Sequence, residues 1–501
     1  MPTKNTRKAK VESKQELDEL AGYDTSKPLV DFGLSTERFR KSDRLQMALA
    51  GTRNRFGASC NTFMVGDSIA SIAEAHAWAL HVSHMQGAPS IHYGALRPRG
   101  SVISTGGVSG GAVPFMHMFD ASVHYVKRDT YKKGAGIAWL PWNHPDLQEF
   151  LAADFKSIYR GVLIPGNHQP EFRREFYLSE QAELLAEAYD MGKCFICKEP
   201  EPSADGEPLL LNLCTEVEIP SLGSCVLGVV NLSQYTEANI GELSENFEIA
   251  ALTLLQDSRT SRRLQAQYSI LDCKSPANVQ FGLGVSGLAS MLANWGITYG
   301  DFTKALNNRV KEGYSIHQLH QRSSRYEYKS KADRLVHELI RMYALATDAV
   351  QPYVCKAFCV QPSATGAYEC ADASGYYSSP ELQPVIGIRD KSGVHTIRKS
   401  QLKGDTVVRF HPATETIHEV PYAVYARLCH LWQVLMDSTG LAHRHSACYY
   451  GSTFNLYHLT HFLASAQKSL YYRLPQYNPA ALDKSQVGTG LEFAEDFSID
   501  S

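Results

Sequence analysis

Apolar positions along the chain switch repeatedly between a helical and a strand period. Ile69, Ile72, Ala73, Ala77 and Leu80 fall at helical spacing behind Asp67-Ser68, a good N-cap pair, and predict a helix over 69–85. The same spacing predicts helices over 42–52, 114–126, 147–153, 175–191, 244–269, 421–438 and 456–469, with several more filling 301–349. Short apolar runs between them read as strands: 58–64, 137–140, 195–196, 209–219, 281–285, 357–360 and a small β-rich insertion over 385–420. Alternating strand and helix signals predict an α/β fold. Runs of glycine and small residues at 87–111 read as loops in which backbone can approach a ligand closely. Ser363-Ala364-Thr365-Gly366 follows a predicted strand and suits a phosphate cradle if a helix starts there, or a plain turn. Residues 1–28 read as a mobile arm and 476–501 as a flexible acidic tail.

Composition narrows the class. The 501 residues are 44% hydrophobic and 20% charged with net charge -3, which describes a globular chain with a large core. The near-neutral balance gives no argument for nucleic acid or a membrane surface. No apolar run reaches the roughly 18 residues of a membrane span, and the basic N-terminus lacks a secretory apolar region. A cytoplasmic location is expected, so the eleven cysteines should stay mostly reduced and a working thiol is worth seeking. Cys194-Phe195-Ile196-Cys197 has no second pair at zinc spacing and reads as structural.

The chemistry concentrates at Asn212-Leu213-Cys214-Thr215-Glu216. If this stretch is extended, Asn212, Cys214 and Glu216 share one face and set a thiol between an amide and a carboxylate. That suits a reaction in which sulfur attacks and the carboxylate moves a proton. The same five residues also fit an ordinary strand with a buried cysteine. No His-Glu-x-x-His or nucleophile-elbow motif points to a hydrolase instead.

Taken together, residues 42–475 resemble the catalytic (large) subunit of ribonucleotide reductase. The carriers, in order, are Ser59-Cys60-Asn61 with Asp67-Ser68, Leu96-Arg97-Pro98-Arg99-Gly100, Lys133-Gly134-Ala135 with His144-Pro145-Asp146, and Asn212–Glu216. Cys225 with Asn231-Leu232-Ser233, Phe281-Gly282-Leu283-Gly284-Val285, Pro362-Ser363-Ala364-Thr365 and Tyr471-Tyr472 complete the set. The resemblance implies one catalytic domain over 29–475. Its fold would be a ten-stranded α/β barrel of two five-stranded parallel halves around a finger loop. It implies that Cys214 becomes a thiyl radical and takes the 3′ hydrogen of a ribonucleotide. Glu216 would be the base for the 3′ hydroxyl, Asn212 the hydrogen-bonding amide, and Cys60 with Cys225 the reducing pair. Ser59, Gly87, Ala88 and Ser363, Ala364, Thr365, Gly366 would hold a ribonucleoside di- or triphosphate. Asp67, Ser68, Ile69 and Arg97 would hold a deoxynucleoside triphosphate or ATP effector at a homodimer interface, with the 100–107 and 127–134 loops relaying its identity. Asp67-Ser68 also reads simply as a helix cap.

The departures matter too. Ala364 and Gly366 stand where the family usually has an acidic and a hydroxyl side chain, and Lys132 and Lys133 where it often has arginines. Nothing before residue 42 matches the helical ATP cone, and the last cysteine is Cys448, so the shuttle pair of the family's tail is missing. An external thioredoxin- or glutaredoxin-like protein, a small thiol or another subunit is then the expected reductant. The compact length is similar to viral and phage forms. Tyr471-Tyr472, predicted at a helix end, match the family's radical relay and favour a ferritin-like small subunit carrying a dimetal cofactor, with no cofactor bound in this chain. Adenosylcobalamin is the alternative radical source. An inactive nucleotide-binding paralogue is the alternative outside catalysis.

Overall fold

The computed structural model describes residue 34 and residues 38–41, 58, 60–85, 87–126, 134–202, 206–268, 281–322, 326–350, 368–372, 375–378, 382–400, 404–439, 444–445 and 447–474. The strands are β1 Phe39–Lys41, β2 Cys60–Met64, β3 Ala88–His92, β4 Gly136–Pro141, β5 Ile158–Ile164, β6 Phe195–Lys198, β7 Leu210–Leu211, β8 Glu218–Ile219, β9 Ser224–Asn231, β10 Phe281–Ser286, β11 Tyr368–Asp372, β12 Gly375–Ser378, β13 Ile388–Asp390, β14 Gly393–Ser400, β15 Gly404–Phe410, β16 Ala447–Tyr449 and β17 Ser469–Arg473.

Ten strands share one mixed sheet in the order β1-β9-β2-β3-β4-β5-β6-β17-β16, with β10 branching from β9. Strands β2 to β6 run parallel throughout. On either side the direction reverses: β9 is antiparallel to β2 and β17 to β6, and each is paired in parallel with its own neighbour, β10 or β16. The α/β class therefore holds and one five-stranded parallel half is present. The rest of the predicted barrel is not: among the described residues the sheet is not closed, and the other half consists of two separate parallel pairs. The predicted strand 357–360 lies outside the described residues.

Parallel neighbours need crossovers, and helices supply them. Helix α1 Ile69–His84 joins β2 to β3, and α2 Val113–Tyr125 joins β3 to β4. Helix α3 Leu147–Ala152 joins β4 to β5, and α4 Pro170–Tyr177 with α5 Glu180–Asp190 joins β5 to β6. All pack on one face, where Ile91, Ala138, Leu140, Val162 and Ile196 meet Trp78, Met116, Phe119 and Leu185. The opposite face presents Ala88, Ile137, Trp139, Phe195 and Cys197 to the hairpin residues Leu211, Leu213 and Cys214. Burial on both faces lets β4, Gly136–Pro141, read as an unbroken apolar run rather than an alternating one.

Ser68 caps α1 as predicted, its hydroxyl accepting from the Ser71 N–H at 3.1 Å. The predicted helix over 175–191 is instead two, broken around Leu178-Ser179. The predicted 456–469 helix ends at Ala464, and Ser469–Arg473 pairs with β6 as a strand, with the Lys198 N–H donating to the Lys468 carbonyl at 2.8 Å just before it. In the insertion, β13, β14 and β15 form a three-stranded sheet, whereas 416–420 is a turn in which Glu419 accepts from the Thr416 N–H at 2.9 Å.

One carboxylate ties the helical layer to the sheet. Asp120 on α2 accepts from the N–H groups of Lys156, Ser157 and Ile158 at 2.7–3.0 Å, fixing the entry to β5. Asp120→Ala should destabilise the chain by about 2–3 kcal/mol, because buried donors lose a charged acceptor. Denaturant unfolding of both proteins measures it, and a change under about 0.5 kcal/mol, the size of an ordinary surface substitution, would contradict the assignment.

Candidate active site

The Asn212–Glu216 stretch is not extended. It is the turn of a hairpin whose strands, β7 and β8, are two residues each. The chain reverses at Leu213-Cys214-Thr215, with Thr215 at φ 70°, an uncommon conformation for a β-branched residue. The reversal corrects the one-face expectation. Asn212 and Glu216 do come together, but across a turn rather than along a strand. The Asn212 N–H donates to the Val217 carbonyl at 3.3 Å, and its Oδ1 accepts from the Val217 N–H at 3.0 Å.

The amide of Asn212 is the centre of the site. Its Nδ2 donates to Glu216 Oε1 at 3.0 Å and to Cys60 Sγ at 3.0 Å. Cys60, at the start of β2, is the register partner of Cys225 in β9. Directly opposed antiparallel residues have Cα atoms about 4.5–5.5 Å apart, inside the range a disulfide spans. Both stand as thiols, packed with Val217, Ile219 and Leu227. Cys214 at the hairpin tip is 4% exposed, and Asn212 and Glu216 are fully buried. The five residues predicted to carry chemistry are thus gathered around one hairpin on the face of the sheet away from the helices.

The predicted substrate residues divide. Ala88 is the register partner of Cys60. Beside it, a Cβ on Gly87 would come within 2.8 Å of Asn61 Nδ2 and 2.7 Å of Val82 Cγ1, so only glycine fits there. Ser59 and Ser363, Ala364, Thr365 and Gly366 lie outside the described residues, as do Lys132 and Lys133. The predicted effector residues sit at the other end of β2 and at the surface. Asp67 accepts from the Arg97 backbone N–H at 3.2 Å and Nε at 2.8 Å, Arg97 Nη1 donates to the Val102 carbonyl at 3.1 Å, and Ile69 is 73% exposed.

Tyr471 is buried on β17, with its ring centroid 4.7 Å from that of Phe195 and in the same core as Cys214. The tyrosine pair therefore belongs to a strand, not to a helix end; the Tyr472 side chain is outside the described residues. Cys194 packs on the helix face and Cys197 on the hairpin face, so this pair is separated by the sheet itself. Burial pushes both thiols up, Cys194 to about 12 and Cys197 to about 11.

The residues that hold the hairpin belong to none of the motifs singled out above. Ser90 Oγ donates to the Leu211 carbonyl at 2.6 Å and accepts from Trp139 Nε1 at 3.0 Å. His92 Nε2 accepts from the Leu211 N–H at 3.1 Å, and its ring stacks on Trp139. A Cβ on Gly161 would strike the Trp139 ring at 2.3 Å, so glycine makes room for that indole. The available signal was Ser90-x-His92, two polar residues on one face of a strand, hidden inside the glycine-rich run.

Burial lowers His92 to about 4, below the ordinary 6.5. The unfolded chain therefore binds more protons than the folded one between those values, and this contribution to stability is lost as pH falls from 6.5 through 4. Protonation also removes the acceptor of the Leu211 N–H. His92→Gln, which cannot titrate, should flatten a pH-dependent loss of about 3 kcal/mol over that window. Chemical denaturation at pH 6.5 and pH 4 tests it, and equal slopes in the two proteins would refute it.

Comparison with known proteins adds relatives. Residues 58–158 match the family described as ribonucleotide reductase, barrel domain. A Thermoplasma acidophilum protein named vitamin B12-dependent ribonucleoside-diphosphate reductase is 34% identical over 291 residues, which cover 50% of this chain and 37% of that protein. A Mycobacterium tuberculosis protein of the same name is 27% identical over 289 residues, covering 50% and 40%. The ribonucleoside-diphosphate reductase subunit alpha of Mycoplasma genitalium is 26% identical over 313 residues, covering 48% and 43%. The matches thus span roughly two-fifths of these curated relatives. Among solved structures, the alpha subunit of the Actinobacillus ureae class Id ribonucleotide reductase superposes with TM-score 0.61 at 16% identity, covering 94% of this chain and 93% of that one, a likeness of fold.

Proposed function

We propose that the chain is a ribonucleotide reductase catalytic subunit that reduces ribonucleotides to 2′-deoxyribonucleotides by thiyl-radical chemistry, a reading supported by the barrel-domain match over residues 58–158 and by the reductase relatives. The observation that carries this reading is the Asn212 amide, which bridges the Cys60 thiol and the Glu216 carboxylate beneath the Cys214 tip. The 3′ C–H of a ribose is not acidic, so a base cannot remove its hydrogen; a sulfur radical can. Cys214 takes that hydrogen, Glu216 accepts the 3′ hydroxyl proton, and Asn212 orients the carboxylate and the adjacent thiol. Losing the 2′ oxygen as water requires two electrons and two protons. Cys60 and Cys225 supply them by closing a disulfide, so one ribonucleotide and two thiols become one deoxyribonucleotide, one disulfide and one water. A thioredoxin- or glutaredoxin-like protein reopens the bond. The carboxylate and thiols are buried, which keeps bulk water from the radical.

We read the sheet as part of a ten-stranded barrel wrapped around the hairpin, because its two flanking parallel pairs run opposite to the central five strands. Asp67, Ser68, Ile69 and Arg97 are proposed to hold a deoxynucleoside triphosphate at a homodimer interface; the support is the contact of Arg97 with both Asp67 and the Val102 carbonyl of the adjoining loop.

Two radical sources have support. Tyr471, buried in the core that holds Cys214, favours a ferritin-like small subunit. In that reading the dimetal centre belongs to the partner subunit. The names of the Thermoplasma and Mycobacterium relatives favour adenosylcobalamin. Either would supply the one-electron oxidation of Cys214.

Purified chain with a dithiol, a ribonucleotide and a small subunit should form deoxyribonucleotide, and adenosylcobalamin in place of the small subunit should give none. Cys214→Ser and Tyr471→Phe should each abolish product in the small-subunit assay. Product from the Cys214→Ser protein would defeat the thiyl mechanism. Wild-type turnover with adenosylcobalamin and no partner would reverse the preferred radical source.

A further inference from the structure

A hairpin of two short strands is not stable by itself, so outside contacts must set where its tip lies. Ser90 and His92 hold the outgoing strand at Leu211. The returning strand is held by a different group, Arg444, which lies more than two hundred residues away in sequence and is 1% exposed. Each of its five N–H donors has a partner. Nε and Nη2 donate to Glu218 Oε1 in β8 at 2.9 and 2.8 Å. Nη2 also donates to the Lys198 carbonyl in β6 at 2.9 Å. Nη1 donates to the Lys468 carbonyl at 2.7 Å and to Ser469 Oγ in β17 at 3.2 Å. Ser469 Oγ in turn donates to the Thr215 carbonyl at 3.2 Å, beside Cys214 and at the residue with positive φ.

We propose that Arg444, with Glu218 and Ser469, is a positioning clasp that sets the Cys214 tip, gripping the root of the hairpin through Glu218 and its turn through Ser469. The clasp also joins the tip to the strand that carries Tyr471, two residues beyond Ser469 and on the same face. These residues act on the tip through the Thr215 carbonyl. A buried ion pair by itself is weak evidence of a stabilising role, because well-packed apolar residues often replace one without loss. The Ser469–Thr215 contact separates the two roles. A purely structural ion pair has no need of it, whereas a clasp on the tip does.

Ser469→Ala removes the donor to the Thr215 carbonyl together with one acceptor of Arg444 Nη1, which keeps the Lys468 carbonyl, and Ser469→Thr restores both. Arg444→Lys keeps a cation but cannot reach all the partners of a planar five-donor group. The readout is the rate at which iodoacetamide alkylates Cys214 in the full-length folded chain, followed by peptide mass spectrometry with Cys194 and Cys448 as internal references. Ser469→Ala should raise the Cys214 rate about tenfold, the effect of roughly 1.4 kcal/mol, with the reference cysteines unchanged and Ser469→Thr near wild type. Arg444→Lys, where it folds, should raise it further. An unchanged Cys214 rate in Ser469→Ala, or an equal rise at the reference cysteines, would overturn the clasp.

The turnover arm rests on the function proposed above: kcat should fall about tenfold in Ser469→Ala while KM holds, since the alignment of the tip and not substrate binding is disturbed. A fall confined to KM would also overturn the proposal. Should wild-type chain reduce no ribonucleotide with either radical source, the functional reading fails, and the labelling result still decides the clasp.

Discussion

The constraint behind the rest of the structure is that a two-residue ladder cannot hold a reactive turn in place. Everything chemical sits on that turn, so its position is borrowed from the sheet around it. Leu211 is tied to β3 by Ser90 and His92, Val217 is folded back onto Asn212, and Glu218 is tied through Arg444 to β6 and β17. These ties are polar contacts inside an apolar core, where an unmatched partner is costly and a matched one is strongly directional. Direction is what the site requires: Asn212 must face a thiol and a carboxylate at once.

The reversal of strand direction does a second job. A wholly parallel sheet would join β2 to its neighbours only through crossovers. Because β9 runs antiparallel to β2, Cys60 and Cys225 become directly opposed residues at the seam, although 165 positions separate them. The loop that leads into β9 is laced to β2 as well: Thr62 Oγ1 donates to the Pro220 carbonyl at 2.8 Å, and the Met64 N–H donates to Ser221 Oγ at 2.9 Å. The hairpin and the dithiol are therefore placed by one continuous segment, Leu210 to Asn231, folded against one edge of the parallel half.

Much of this was legible in the chain, and the illegible parts share a cause. Helix α1, its Ser68 cap, α2 and β4 carry strong local signals and emerge nearly where the periodicity puts them. Strands β3, β5 and β9 do not, because they are buried on both faces or contain glycines kept small for a neighbour, as Gly161 is for Trp139. Period-two reasoning also fails at Asn212–Glu216. The expected strand is a turn, imposed by Asn212 pairing with Val217 and by outside contacts. The end of the 456–469 helix fails for a similar reason: Ser469–Arg473 is extended because β6 offers it a pairing edge. Ser90, His92, Glu218 and Arg444 are scattered polar residues in sequence and acquire meaning only when tertiary contacts bring them to one hairpin.

Burial explains why an arginine holds the root of that hairpin. Lys198, whose carbonyl Arg444 contacts, is itself buried, and desolvation with nearby cations lowers it to about 6. His445, next to Arg444 in sequence, is lowered to about 3, and His92 on the other side of the hairpin to about 4. Desolvation pushes ordinary bases in this region toward their neutral forms, and a lysine in the place of Arg444, though held charged by Glu218, would leave several of the surrounding acceptors without a donor. A guanidinium resists that pressure, because its intrinsic basicity lies several units higher and its charge is spread over five donors. The site thus keeps one dependable cation against one carboxylate, and spends its remaining N–H groups on the strands that frame the turn.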